Sequence, residues 1–150
     1  MGPNHITSQL LGEYMNTQSM LEKHPTPMNL DVSAVAKVID AAFECAQICT
    51  SCADACLSED MVAELRYCIR QNLDCADVCG TTARLLSRQT EPELTLLRAQ
   101  LEACQTACKL CGDECEKHKD MHAHCQVCME SCRSCEAACS ALLRQLGPKV

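Results

Sequence analysis

Cysteine recurs along this chain at steps of three and four residues, and that recurrence decides what the chain can fold into. The first stretch is Cys45, Cys49, Cys52 and Cys56, and its spacing returns in Cys104, Cys108, Cys111 and Cys115. A longer run holds Cys125, Cys128, Cys132, Cys135 and Cys139, and a thinner one holds Cys68, Cys75 and Cys79. An α-helix advances about 100° per residue, so such steps keep returning to one face. In chain order the first and third stripes each fall within about 60°, the second within about 40° and the fourth within about 80°. The sequence therefore predicts four helices that carry thiols where an apolar stripe normally faces the core.

Sixteen cysteines in 150 residues would suit a disulfide scaffold. The spacing opposes it. Neighbours on a helix face have Cβ atoms roughly 5–6 Å apart, whereas a disulfide needs about 3.5–4.5 Å. A chain of this length also folds without staples. No basic and apolar leader with a small-residue cleavage site precedes the first helix. The expectation is a cytoplasmic protein with reduced thiols. No apolar run is long enough for a membrane span. Net charge is −7, and Tyr14, Phe43 and Tyr67 are the only aromatic residues. Without a basic stripe or a stacking platform, a nucleic-acid partner is not expected.

Residues 1–28 read as an amphipathic N-terminal helix, about His5 to Lys23, followed by a linker broken by Pro25 and Pro27. Leu10, Tyr14 and Leu21 share one face of that helix, with Leu11 and Met15 beside it. Residues 29–147 read as the bundle. Asn29 or Asp31 caps its first helix, which runs to about Leu57. Ser58, with Glu59 and Asp60 behind it, reads as the cap of the second, ending near Gln89. Thr90-Glu91-Pro92-Glu93 reads as a capping box for the third, which extends to about His118. Asp120 reads as the cap of the fourth, which stops near Leu146 before Gly147 and Pro148. No alternating β-branched run occurs. The fold class expected is all-α: an antiparallel four-helix bundle with a short additional N-terminal helix.

Cysteine can pack as a small hydrophobe, but leucine or alanine would fill such a core without the risk of oxidation. A tube lined by reduced thiols suits a soft metal: Cu(I), Zn(II) or an iron–sulfur cluster. Sixteen thiolates around four Zn(II) ions would leave about eight uncompensated negative charges in an apolar interior. Monovalent copper in equal number neutralises them, and i,i+3 and i,i+4 pairs allow thiolates to bridge adjacent ions. Iron–sulfur ligands usually sit on loops with glycine or proline nearby, a context missing here. Protonated thiols are neutral, so the bundle should fold without metal.

The two ends differ. Val35, Val38, Leu86, Leu94, Leu97, Leu142 and Leu143 form an expected apolar plug. The other end holds Cys56 and Met61 together with His118, Met121, His122 and His124. His118 extends the third stripe by one turn and His122 follows by four residues, so both read as metal ligands. His124 reads as lying off the stripe. Met121 lies four residues before Cys125, and Met61 and Met121 either cap the core or relay metal inward.

These residues resemble the bacterial copper storage proteins, in their cytosolic branch, from about Asp31 to Leu146. The resemblance implies a four-helix bundle, usually a homotetramer, that stores many Cu(I) ions per chain as thiolate-bridged clusters without catalysis. It implies that histidines at one end, here His118 and His122, bind and admit copper. Copper ions, a copper chaperone that delivers them and further copies of the chain are the expected partners. One departure is Asn72, on the second stripe where another thiol would fit; it ligates weakly, hydrogen-bonds a thiol or leaves a gap. The competing readings are a thiol redox protein or sensor working through Cys125 and Cys128, and a zinc or iron–sulfur module.

Overall fold

The computed structural model describes residues 16–148. Five α-helices occur there: α1 (Asn16–Glu22), α2 (Val32–Leu57), α3 (Arg66–Leu86), α4 (Leu94–Glu116) and α5 (Ala123–Gln145). A 3₁₀ turn, Val62–Leu65, leads into α3, and no strand occurs among the described residues. Each long helix packs on its two neighbours, α2 on α3 and α5, and α4 on α3 and α5. The backbones of diagonal helices stay apart and only core side chains meet across the centre, so the bundle is square in section. The segment α1 lies on α2, and its Leu21 is buried while the Leu21 carbonyl accepts a 3.1 Å hydrogen bond from Gln89. The expected N-terminal helix thus holds from Asn16 to Glu22; its residues 5–15 lie outside the described residues.

Helix starts show where tertiary contacts override local signals. Asp31 caps α2 as expected, accepting from the Ser33 backbone N–H at 3.0 Å. Ser58 does not start a helix but closes α2, its N–H bonding to the Ala55 carbonyl at 3.0 Å. The next helix waits until Arg66, after Leu65 has been buried completely. Thr90 forms no capping box: its hydroxyl meets His24 Nε2 at 3.3 Å, Glu91 takes φ 48°, and Glu93 caps α4 through backbone alone. Asp120 does not cap α5; His122 holds that place, with its side chain turned elsewhere. At the far end Arg98 binds the Leu146 and Gly147 carbonyls at 3.0 and 2.8 Å, and Gly147 takes φ 74°, a conformation glycine adopts without strain.

The core has two chemistries in one tube. All sixteen cysteines are buried. Beyond them Val35, Val38, Ile39, Leu86, Leu97, Leu101 and Leu142 fill the end where α2 and α4 begin and α3 and α5 finish. Two residues of the expected plug do not fill it. Leu94, in the first turn of α4, is 51% exposed, and Leu143 is only partly buried, being one position round the helix from Leu142. Outside the tube, Arg133 of α5 lies across α4 and reaches Asp113 at 2.8 Å and Glu116 at 3.4 Å. Gly112 permits this approach, since a Cβ there would stand 2.9 Å from the guanidinium.

Candidate metal centre

The helical spacing turns every thiol inward, and the square arrangement stacks them in overlapping groups. Nearest the plug, Cys45, Cys79, Cys108 and Cys135 bring their sulfurs within 4.8 Å of one another, with Cys104 beside Cys79 and Cys135 at 3.8 and 4.0 Å. Next come Cys45, Cys49, Cys75 and Cys132, then Cys49, Cys111, Cys128 and Cys132. Cys52, Cys115 and Cys128 continue the column, and Cys68 meets Cys115 at 3.9 Å. Cys45, Cys49, Cys52, Cys128 and Cys132 each belong to two groups, so the column is continuous. Every cysteine is free. Contacts such as Cys79–Cys108 at 3.6 Å and Cys45–Cys49 at 3.7 Å are far longer than a disulfide. They suit two sulfurs touching one ion at roughly 2.3 Å.

Asn72 is wholly buried in this column. Its Oδ1 accepts from the Cys111 and Cys128 thiols at 3.0 Å each and from Cys115 at 3.6 Å, while Nδ2 donates to Cys68 at 3.7 Å. Of the three roles open to it, hydrogen bonding to thiols is the one seen. The side chain fills its place in the stripe with a polar oxygen.

At the open end three histidines stand near the thiols, each with a carboxylate on one ring nitrogen. His118 Nε2 lies 3.1 Å from Glu114 Oε1, and Lys117 holds the other oxygen of Glu114 at 3.1 Å. His122 is 6% exposed; its Nδ1 lies 3.4 Å from Glu59 Oε2, and its Nε2 has no hydrogen-bond partner. His124 Nε2 lies 3.1 Å from Glu59 Oε1, and its Nδ1 faces Cys52 Sγ at 3.3 Å and Cys125 Sγ at 3.7 Å. The imidazoles of His122 and His124 stack, with centroids 5.6 Å apart.

His124 therefore corrects the sequence reading. It is about 100° round the helix from Cys125, yet in the first turn of α5 its ring swings back over the mouth and joins Cys52, Cys56 and Cys125 in one four-residue group. Met61 is partly buried against the core, whereas Met121 is 65% exposed. Because α5 begins at Ala123, Met121 is not on the fourth stripe. Glu59 was missed as a member of this site. Read as a helix-start acid, it is drawn instead to the histidines across the mouth.

The thiols interact as they titrate, and their shifts run both ways: contacts with neighbouring thiols hold Cys45, Cys68, Cys75, Cys104 and Cys128 low, while others stand high. Burial, and after it the charge of Cys68, pushes Cys56 from 9.0 up to about 11. Thiol contacts to Cys111, Cys128, Cys132 and Cys45, reinforced by burial, hold Cys49 high, and contacts to Cys104 and Cys135 do the same for Cys139. A thiol with a raised folded-state pKa binds more protons folded than unfolded once the pH passes 9.0. Its contribution is complete below that pH and is lost as the pH climbs through about 11. Urea denaturation of reduced, metal-free protein should show stability falling across that interval, and a flat profile would contradict it.

The family model for copper storage proteins matches residues 31–144. A structure of the copper storage protein Ccsp from Streptomyces lividans, loaded with 10 copper equivalents, superimposes with TM-score 0.86 at 50% identity, over 87% of this chain and 99% of that one. A second structure, of copper loading to a cytosolic copper storage protein from the same organism with five coppers, gives TM-score 0.76 at 56% identity, over 77% of this chain and 96% of that one. An uncharacterized cysteine-rich protein of Bacillus subtilis, YhjQ, is 31% identical over 104 residues, 69% of this chain and 91% of that protein. In sequence, in fold and in its column of reduced thiols, the chain belongs to the copper storage protein family.

Proposed function

We propose that this protein stores Cu(I) in quantity, as thiolate-bridged clusters along the interior of its bundle. The observation that carries this is the continuous column of sixteen buried, unoxidised thiols with sulfur contacts of 3.6 to 4.0 Å. A single catalytic or structural site would use a fraction of them. Monovalent ions match the thiolates in charge, so the interior can fill without accumulating an uncompensated field. All sixteen cysteines act as ligands, joined at the mouth by His118, His122 and His124. The unpartnered lone pair of His122 Nε2, buried with no protein donor, has the character of a waiting ligand. Copper comes in past Met61 and Met121, since the opposite end is filled by leucine and valine.

The role is sequestration in the cytosol against copper toxicity, without catalysis. It agrees with the copper-loaded relatives and with the burial of every thiol, which leaves no exposed sulfur for exchange chemistry. Residues 29–147 form the storage unit, the chain assembles as a homotetramer, and a chaperone supplies the copper.

Anaerobic titration of reduced protein with Cu(I) against a competing chelator tests this. More than a dozen ions per chain, with loss of titratable thiols in parallel, is the expected result. Saturation near four metals with a preference for Zn(II) would overturn it.

A further inference from the structure

Glu59 stands between two histidines and faces a different ring nitrogen on each, hydrogen-bonded to His124 and paired at longer range with His122. Its Oε1 is 3.1 Å from His124 Nε2 and its Oε2 is 3.4 Å from His122 Nδ1. A carboxylate only accepts, so the hydrogen-bonded Nε2 of His124 carries its proton, and the nearby carboxylate oxygen favours the proton of His122 on Nδ1. The neutral imidazoles are then opposite tautomers. On His124 the lone pair falls on Nδ1, the atom that faces Cys52 and Cys125. On His122 it falls on Nε2, the buried atom that has no partner at all.

We infer that Glu59 is a positioning residue of the mouth: by holding His122 and His124 in opposite tautomers, it aims one free lone pair from each ring at incoming Cu(I). This rests on the copper reading above and adds to it the residue that makes the two rings competent. It accounts for two features that otherwise have no explanation. An acid from the α2–α3 connection crosses to the start of α5, and a 94% buried histidine keeps an unsatisfied nitrogen. A buried polar atom without a partner costs stability unless something fills it. Carboxylate–histidine pairs fix ring orientation and raise ligand basicity at metal sites, and Glu114 makes the same kind of contact to His118.

The tautomers can be read directly in metal-free protein by long-range ¹H–¹⁵N correlation of the imidazoles, in mildly alkaline buffer where an ordinary ring is neutral. The expected pattern is a proton on Nε2 of His124 and on Nδ1 of His122. In Glu59→Ala both assignments should relax to mixtures. In Glu59→Gln the new amide can accept from one ring but must donate to the other, so one tautomer should hold and the other invert. Finding both rings in one tautomer, or both unchanged in Glu59→Ala, overturns the inference while leaving the copper capacity standing. Competition with a Cu(I) chelator supplies the second readout. Glu59→Ala should weaken binding at the mouth by about 10–100-fold, with the total thiol-bound copper unchanged. Asp60→Asn removes the same charge one residue away and should weaken nothing; an equal loss there would reduce Glu59 to its charge and also overturn the inference.

Discussion

Metal-free protein should be helical and cooperatively folded, and copper loading should then raise its thermal midpoint by tens of degrees. The first half follows from the state of the thiols. Protonated cysteine is neutral and packs as a small apolar group, and the leucine and valine plug gives the bundle a conventional core at one end. The second half is mass action. A ligand that binds only the folded chain stabilises it by about 2.7 kcal/mol when present at 100 times its dissociation constant. Several such sites fill here, and each kcal/mol moves the midpoint of a chain this size by roughly 2–4 °C. Anaerobic melts followed by circular dichroism, at increasing copper, should show one helical content and a climbing midpoint. Absence of helix before copper, as in a zinc finger, would refute the first half. A midpoint indifferent to copper would refute the second.

Copper uptake and helix formation separate in this way because one residue type serves both. The i,i+3/i,i+4 spacing is at once a helix core pattern and a ligand pattern, which is why it was so legible in the sequence. From Cys45 or Cys104 the helix, its buried face and its chemistry could all be read together. What stayed hidden lies where the chain leaves that period. Ser58, Thr90 and Asp120 have the composition of helix caps, but the chain buries Leu65 before the next helix begins, Thr90 turns to His24, and His122, whose ring faces Glu59, takes the cap position of α5. Nothing local encodes those contacts. His124 failed for a related reason. A helical wheel assigns a face from the Cα position, while an imidazole in a first turn reaches several ångströms beyond it. Asn72 was visible as a departure from the stripe, yet its bonds to four thiols from three helices need the bundle's geometry.

The division of the tube into a leucine end and a sulfur end sets up the other large effect. Leu142→Ala should destabilise metal-free protein by about 2–5 kcal/mol, the range for a buried leucine whose cavity does not collapse. Leu142 is fully buried, sits one helical step past Cys139 and closes the column with Val35, Val38 and Leu101. The loss is large beside a total stability of about 5–15 kcal/mol for a domain. Cys49→Ala deletes only one sulfur and should cost the metal-free chain about 1 kcal/mol, since a small cavity is left. With copper the order inverts. Leu142→Ala removes no donor, so it should load as many ions as the parent. Cys49 touches Cys45, Cys111, Cys128 and Cys132 at 3.7 to 3.9 Å, so its loss interrupts two thiol groups and should lower the capacity. Urea denaturation and Cu(I) titration of both variants decide the matter. If Cys49→Ala unfolds the metal-free chain as readily as Leu142→Ala, or if Leu142→Ala sheds copper, then the plug and the column are not separate devices. If the two effects stay apart, the leucines hold the tube together and the thiols are free to be chosen for the metal alone.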